Sequence, residues 1–166
     1  MPQHPNAAPV LVRNAVAADV PALGRLGALL VASHHEFDAM RFFPAEAGTE
    51  RGYGRFLAGQ IGQEDAVLLV ADDAGQVVGY AYGRLEGTDF MALRGPAGML
   101  HDLIVDPAVR RRRVGQTLLE AALAALADLG APRVVLSTAA KNAAAQAMFA
   151  RAGFRPTMIE MTREVP

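Results

Sequence analysis

The chain of 166 residues contains no cysteine. Disulfides, thiolate metal sites and a cysteine nucleophile are therefore excluded. It has one lysine, Lys141, so nearly all its positive charge is arginine; with the abundant alanine, that bias reads as codon usage. It lacks a charge excess: 16 basic side chains face 17 acidic ones, a formal net charge of -1. A protein whose main work is coating nucleic acid carries surplus basic charge, so no nucleic-acid partner is expected. No uninterrupted apolar stretch reaches the roughly 20 residues that span a membrane. The start, Met1 to Pro9, is polar and proline-containing, without the basic patch and apolar core of a secretory signal. Residues 1–9 are expected to be flexible, a membrane partner is not expected, and cytoplasmic location follows by default.

What is present is a globular composition. Hydrophobic residues make up 52% and charged residues 20% of the chain, enough for one domain, residues 10–166, with its own core. Val10–Arg13 reads as an edge strand. Asp19 and Pro21 open a helix carrying Leu23, Leu26, Leu29 and Leu30 at helical spacing. After Ser33 the pattern degrades, and residues 34–44 read as a loop or broken helix. A glycine-weakened helix is expected over 50–61. Strands over 66–71 and 77–85 flank a turn at Asp72-Asp-Ala-Gly75. A loop over 87–97 precedes a central strand, 98–105. Residues 115–129 give the strongest helix, stopped by Gly130-Ala-Pro132. The strand expected over 133–138 must run parallel to the one before it, because a helix crosses between them. A short helix over 142–152 and a final strand over 154–164 complete a mixed α/β (α+β) chain.

One stretch carries most of the chemistry: Val105-Asp-Pro-Ala-Val-Arg-Arg-Arg-Arg-Val-Gly-Gln-Thr-Leu-Leu119. A strand stops at Asp106-Pro107, crosses an arginine-rich turn and enters a helix at Val114. Such a turn aims several backbone N–H groups at the positive end of a helix dipole, which suits an anion, most often phosphate. Arginines add bidentate donors for phosphoryl oxygens. A solvated basic loop is the competing reading. The stretch is not a P-loop, since no Gly-Lys-Ser/Thr tail follows, and it lacks the three-glycine dinucleotide pattern.

A second stretch, Asn142-Ala-Ala-Ala-Gln-Ala-Met-Phe-Ala-Arg-Ala-Gly-Phe154, is by itself a small helix with a glycine stop. Together the two stretches resemble the GNAT superfamily of acyl-CoA-dependent N-acyltransferases. The resemblance implies the GNAT fold: a central twisted mixed β-sheet, its two parallel central strands splayed, flanked by helices. It implies acetyl-CoA as co-substrate, lying in that gap. Backbone groups of Leu103, Ile104 and Val105 would pair with the pantetheine arm like an added strand. Amides of Arg110, Arg111, Arg112, Arg113, Val114, Gly115 and Gln116 would hold the pyrophosphate. Asn142 would contact the pantetheine or cysteamine portion, and Phe149 would lie near the thioester. Homodimers are common among such proteins.

Two departures stand out. Arg113 occupies the place of the first glycine in the usual phosphate motif, so either a residue with a Cβ tolerates the turn or the turn shifts slightly. Phe149 stands where many relatives have a tyrosine thought to protonate the departing thiolate; Tyr82 is a fallback donor. Transfer to an amine also needs a base and a polarised carbonyl. The amide of Val105 or Ile104 is the expected oxyanion donor. For the base, His101 and Asp102 compete: relatives often carry an acid here, whereas imidazole chemistry suits neutral pH. Strict alternation sets His101 with Leu103 and Val105, and Asp102 with Leu100 and Ile104, so only one can face the substrate unless the strand bulges. The acceptor, a primary amine of a small molecule or peptide, would be chosen by residues 34–53 and 87–98. There His34, His35 and Glu36 form a polar cluster without a third metal ligand, and Phe37, Phe42, Phe43 and Tyr53 are candidate pocket walls. Acidic residues in these loops (Glu36, Asp38, Glu46, Asp89) would attract a cationic amine. A non-catalytic acyl-CoA-binding sensor or scaffold is the alternative.

Overall fold

The structure, a computed structural model, describes residues 10–109 and 113–166. The expected flexible start, 1–9, and the phosphate contacts expected of Arg110, Arg111 and Arg112 lie outside the described residues. Five strands form one sheet in the order β1-β2-β3-β4-β5. They are β1 (Leu11–Asn14), β2 (Ala66–Asp73), β3 (Gln76–Glu86), β4 (Ala97–Val105) and β5 (Val134–Leu136). The first four are antiparallel neighbours, and β4 and β5 run parallel. The helices are α1 (Val20–Phe37), α2 (Thr49–Ala58), α3 (Val114–Asp128) and α4 (Ala143–Arg151).

Two-residue periodicity sorts the core into two layers. In β2, Val67, Leu69 and Ala71 pack with Val114, Leu118, Leu119, Ala122 and Leu126 of α3, while Leu68 and Val70 join Leu23, Leu26 and Leu57 of α1 and α2. Leu118, Leu119 and Leu126 are fully buried, each contributing roughly 1.5–3 kcal/mol of apolar burial. The crossing of α1 and α2 is close because glycines line it. A Cβ at Gly24 would press on the Glu50 carbonyl, and one at Gly27 would overlap the Tyr53 ring.

The parallel pair is short. Its register covers only Gly98↔Val134, Met99↔Val135 and Leu100↔Leu136. β4 runs on to Val105, and among the described residues no strand pairs with its outer edge beyond Leu100. The expected splay is this divergence.

Two expectations need correction. Helix α1 does not break at His34 but continues to Phe37, because the His34 and His35 rings are tied to backbone carbonyls. The final strand over 154–164 is absent: this stretch carries no regular element and is mostly exposed, with Met158, Ile159 and Met161 bare. A strand needs a partner edge, and this segment meets none among the described residues; it is tied to the body by Phe154, which packs on Phe149, and by an ion pair between Glu160 and Arg41.

Candidate active site

The site is organised by an irregularity in β4. Tyr82 pairs with Asp102 but Gly83 pairs with Leu100, so His101 is an extra residue, a β-bulge. Strict alternation therefore fails here. Leu100 sides with Leu103 and Val105 in the α3 layer, and Ile104 lies in the α1–α2 layer. His101 turns to the Asp102 side, where it stacks on Tyr82 at 5.5 Å between ring centroids. Both sequence candidates for the base thus reach one cleft.

Their environments differ. His101 is exposed, and its Nε2 lies 2.9 Å from Glu86 Oε1. Asp102 is enclosed, and a single oxygen, Oδ2, accepts hydrogen bonds from Tyr53 Oη at 3.0 Å and Tyr80 Oη at 2.9 Å. Burial pushes the Asp102 carboxyl above its ordinary range, opposed by the two hydroxyl donors. Burial and the neighbouring carboxylate also push both tyrosines up, so they stay protonated donors. Tyr53 reaches Asp102 because the bare Gly27 surface of α1 admits its ring. Tyr82, the fallback acid, instead donates to Gln60 Oε1 at 3.1 Å and lines neither of the two cavities that flank this group.

On one side of this group lies the β4–β5 gap, with a cavity of about 60 Å³ lined by Leu100, Leu103, Leu136, Asn142 and Phe149. The Asp106 amide donates to Val78 O in β3 at 2.8 Å. Alternating outward from that bond, Ile104 also directs its backbone groups at β3, whereas Leu103 and Val105 direct theirs into the gap. Asn142 Oδ1 accepts from the Ala145 amide at 3.1 Å and caps α4. Phe149 is buried edge-on against Phe154 at 5.8 Å. At the mouth of the gap α3 begins. Arg113 precedes it in the left-handed region, φ 59°, ψ 14°, with no side-chain cap on the first turn. The backbone conformation is thus the one a glycine would favour, held by an arginine. Gly115 sits beside Val105 and Met148, where a Cβ would find its nearest neighbours at 3.6 Å. The Gln116 side-chain amide donates to Glu120 Oε1 at 2.9 Å.

On the other side is a cavity of about 190 Å³ walled by Leu30, Val31, Phe42, Phe43 and Tyr53. No arginine or lysine among the described residues lines it. His34 projects from α1 with Nδ1 2.9 Å from Leu30 O and its ring edge-on to Phe42 at 5.0 Å. His35 Nδ1, 2.7 Å from Phe42 O, fixes the following loop. Asp38 and Asp89, counted above as attractors for a cation, accept from amides of their own turns. Phe37 packs edge-on to His34 rather than lining the cavity. His34, His101 and Asp102 line both cavities, and so mark where the two meet. Among the described residues no three His, Asp or Glu side chains gather as a metal site, and no helix is long and apolar enough to cross a membrane.

Sequence reasoning missed Tyr80, Glu86 and the placement of His34. Only the parity of Tyr80 and Tyr82 on one strand face hinted at the first, and nothing local signalled that a distant tyrosine would share its carboxylate.

Comparison with known proteins bears on this geometry. Residues 31–154 match the sequence profile of the acetyltransferase (GNAT) family. A mycothiol acetyltransferase of Clavibacter michiganensis is 36% identical over 98 residues, covering 59% of this chain and 30% of that protein. The chain thus spans under a third of this curated relative. Among solved structures, the tetramutant of the BH1408 protein from Bacillus halodurans superposes with TM-score 0.76 at 19% identity, over 94% of this chain and 99% of that one. A predicted acetyltransferase from Clostridium acetobutylicum, solved with acetyl-CoA, superposes with TM-score 0.71 at 13% identity, over 92% and 96% of the two chains.

Proposed function

Because this chain belongs to the acetyltransferase (GNAT) family, we propose that it moves the acetyl group of acetyl-CoA to a primary amine, with residues 10–166 acting as one catalytic unit in the cytoplasm. The observation that carries this reading is the meeting of two cavities at His34, His101 and Asp102. One cavity continues an open strand edge, and the other is an aromatic-walled pocket. The shared fold of an acetyltransferase solved with acetyl-CoA supports that co-substrate.

In this reading pantetheine lies along β4, bonding the outward backbone groups of Leu103 and Val105. The Val105 amide donates to the thioester oxygen and stabilises the charge that develops there. Amides from Arg113 to Gln116 at the start of α3 take the pyrophosphate, with Arg110 to Arg112 adding charge. Asn142 and Phe149 border the thioester end. The acceptor carries its amine on an apolar or aromatic body, because Phe42, Phe43 and Tyr53 offer no cation to a second acidic group. A small molecule or a peptide end both meet that description. The amine nitrogen attacks the carbonyl carbon, a C–N bond forms, the oxyanion collapses, and the C–S bond breaks to release CoA thiolate. Phe149 supplies no proton, so the thiolate leaves unassisted or takes its proton from solvent.

The missing hydroxyl at Phe149 favours a second reading, a domain that binds acyl-CoA without turnover. Release of CoA from acetyl-CoA, followed with a thiol reagent across primary amines and with mass detection of the acetylated product, separates the two. The enzyme reading expects amine-dependent release. Tight acetyl-CoA binding with no release on any amine would establish the sensor instead.

A further inference from the structure

We propose that His34, through Nε2, is the group that takes the proton from the acceptor amine. The proposal rests on the acyl-transfer reading above and deepens it. Three side chains stand where the cavities meet, and their hydrogen bonds sort them. Asp102 Oδ2 already accepts two tyrosine hydroxyls, so its charge is held by short bonds inside the protein. His101 Nε2 faces Glu86 Oε1, a carboxylate that keeps a proton on that nitrogen and leaves the lone pair on Nδ1, in an exposed ring stacked on Tyr82 rather than enclosed by the pocket. His34 differs. Its Nδ1 lies 2.9 Å from Leu30 O, and a carbonyl oxygen can only accept. Nδ1 must therefore carry hydrogen, and in neutral imidazole Nε2 then holds the lone pair. The ring is pinned by that bond and by Phe42 and Phe37 at its edges, so the orientation of Nε2 is fixed before substrate arrives.

The position fits the role. His34 is one helical turn beyond Leu30 and Val31 of the acceptor pocket, and it also lines the cavity that contains Leu103 and Phe149. The titratable groups facing it are His101 and Asp102 from β4, Tyr80 beneath Asp102 from β3, and Tyr53 from α2. From the segment between β5 and α4 come Ser137, Thr138 and Asn142, which do not titrate near neutrality. Asp102 favours the imidazolium that forms when the amine proton arrives. As the amine nitrogen bonds to the carbonyl carbon, its proton moves to Nε2, the sulfur departs with the C–S electron pair, and the imidazolium returns its proton to solvent.

Two measurements test this. Long-range proton–nitrogen NMR of the nitrogen-15-labelled wild-type protein reads the tautomer directly: the proposal requires hydrogen on Nδ1 and a bare Nε2 on His34. Hydrogen on Nε2 in the neutral ring overturns it, whatever the activity. Kinetics of wild type and His34→Gln with phenethylamine, tryptamine and n-hexylamine then read the role. At neutral pH the variant is expected to lose about 10²–10⁴-fold in kcat/KM with acetyl-CoA affinity unchanged. The deficit should shrink as pH approaches about 10.4, where the amine deprotonates without help. An equal deficit at every pH marks a structural role and overturns the proposal, as does no deficit. Wild-type protein that binds acetyl-CoA but releases no CoA with any of these amines removes the acyl-transfer reading and the proposal with it. Turnover unaffected by His34→Gln removes the proposal alone.

Discussion

Replacing Arg113 by glycine tests two things at once, the strain of the turn and the way a pyrophosphate is held. Arg113 sits at φ 59°, ψ 14°, where a Cβ crowds the following carbonyl at a cost of about 1–2 kcal/mol. Glycine removes that cost but loosens the unfolded chain by about 0.4–1 kcal/mol. The net expectation is a gain of zero to about 1.5 kcal/mol. At about 2–4 °C per kcal/mol for a chain of this size, the melting temperature should rise by zero to about 6 °C. Arg113→Ala is the control, since it keeps the Cβ and the strain while deleting the guanidinium. If backbone amides hold the pyrophosphate, calorimetric titration should find acetyl-CoA affinity kept or improved in Arg113→Gly and little changed in Arg113→Ala. A charge-assisted bond from the side chain would be worth about 1.5–3 kcal/mol, a loss of about 10–150-fold in both variants. That shared loss would refute backbone gripping, and a melting temperature lowered by more than about 2 °C in the glycine variant would refute the strain argument.

Other expectations follow from the packing and the charges. Gly27→Ala places a methyl in the Tyr53 ring, so differential scanning fluorimetry should show about 1–3 kcal/mol of lost stability, and the amine KM should rise as Tyr53 leaves the pocket wall. Asp102→Ala removes the carboxylate acceptor of the fully buried Tyr80 and should cost about 1–3 kcal/mol; Asp102→Asn retains an acceptor and should cost less, with chemical denaturation as the measure. Asp19, buried against Arg13, has its carboxyl held low chiefly by that hydrogen bond. A carboxylate depressed on folding stabilises fully above its unfolded pKa of about 3.9, and the benefit is lost as pH falls through the lower folded value. The melting-temperature gap between wild type and Asp19→Asn should therefore be flat from about pH 8 to 5 and close below about pH 4.

Regular elements with a strong period were readable from residues alone. Leu118, Leu119, Ala122 and Leu126 mark α3, and the continuous apolar run Ala66-Val-Leu-Leu-Val-Ala71 marks β2 as a buried strand, which packs on both faces. The missing glycine flagged the turn at Arg113, but whether the turn is kept or shifts was open until the structure showed Arg113 in the left-handed region. Less was visible where a side chain, rather than a period, decides the structure. His34 and His35 prolong α1 through bonds to carbonyls four residues back and seven residues ahead, and neither bond has a sequence signature. Residues 154–164 alternate enough to resemble a strand, yet pairing depends on an available edge, which the sequence of the segment cannot reveal. The tyrosine pair on Asp102 joins residues 49 and 22 positions away, and depends on a glycine in α1 that leaves room for Tyr53.

The bulge at His101 was the decisive unknown, and two backbone bonds show why it must exist. The Gly98 amide donates toward β5, to Arg133 O at 2.9 Å, while the Asp106 amide donates toward β3, to Val78 O at 2.8 Å. Both positions are even, and in a regular strand residues an even number apart point their amides the same way. An odd insertion must lie between them, and the register locates it at His101. Without it, alternation from Leu100 would direct the amides of Asp102 and Ile104 into the gap and turn their side chains toward α3. With it, the amides of Leu103 and Val105 face the gap, and Asp102 joins His101 and His34 beside the aromatic-walled pocket. One added residue thus decides whether Ile104 or Val105 presents its amide to the gap, and so which of them the proposed oxyanion contact can use. It does so at the point where β4 and β5 part, so the same irregularity that opens the cleft determines which polar groups line it.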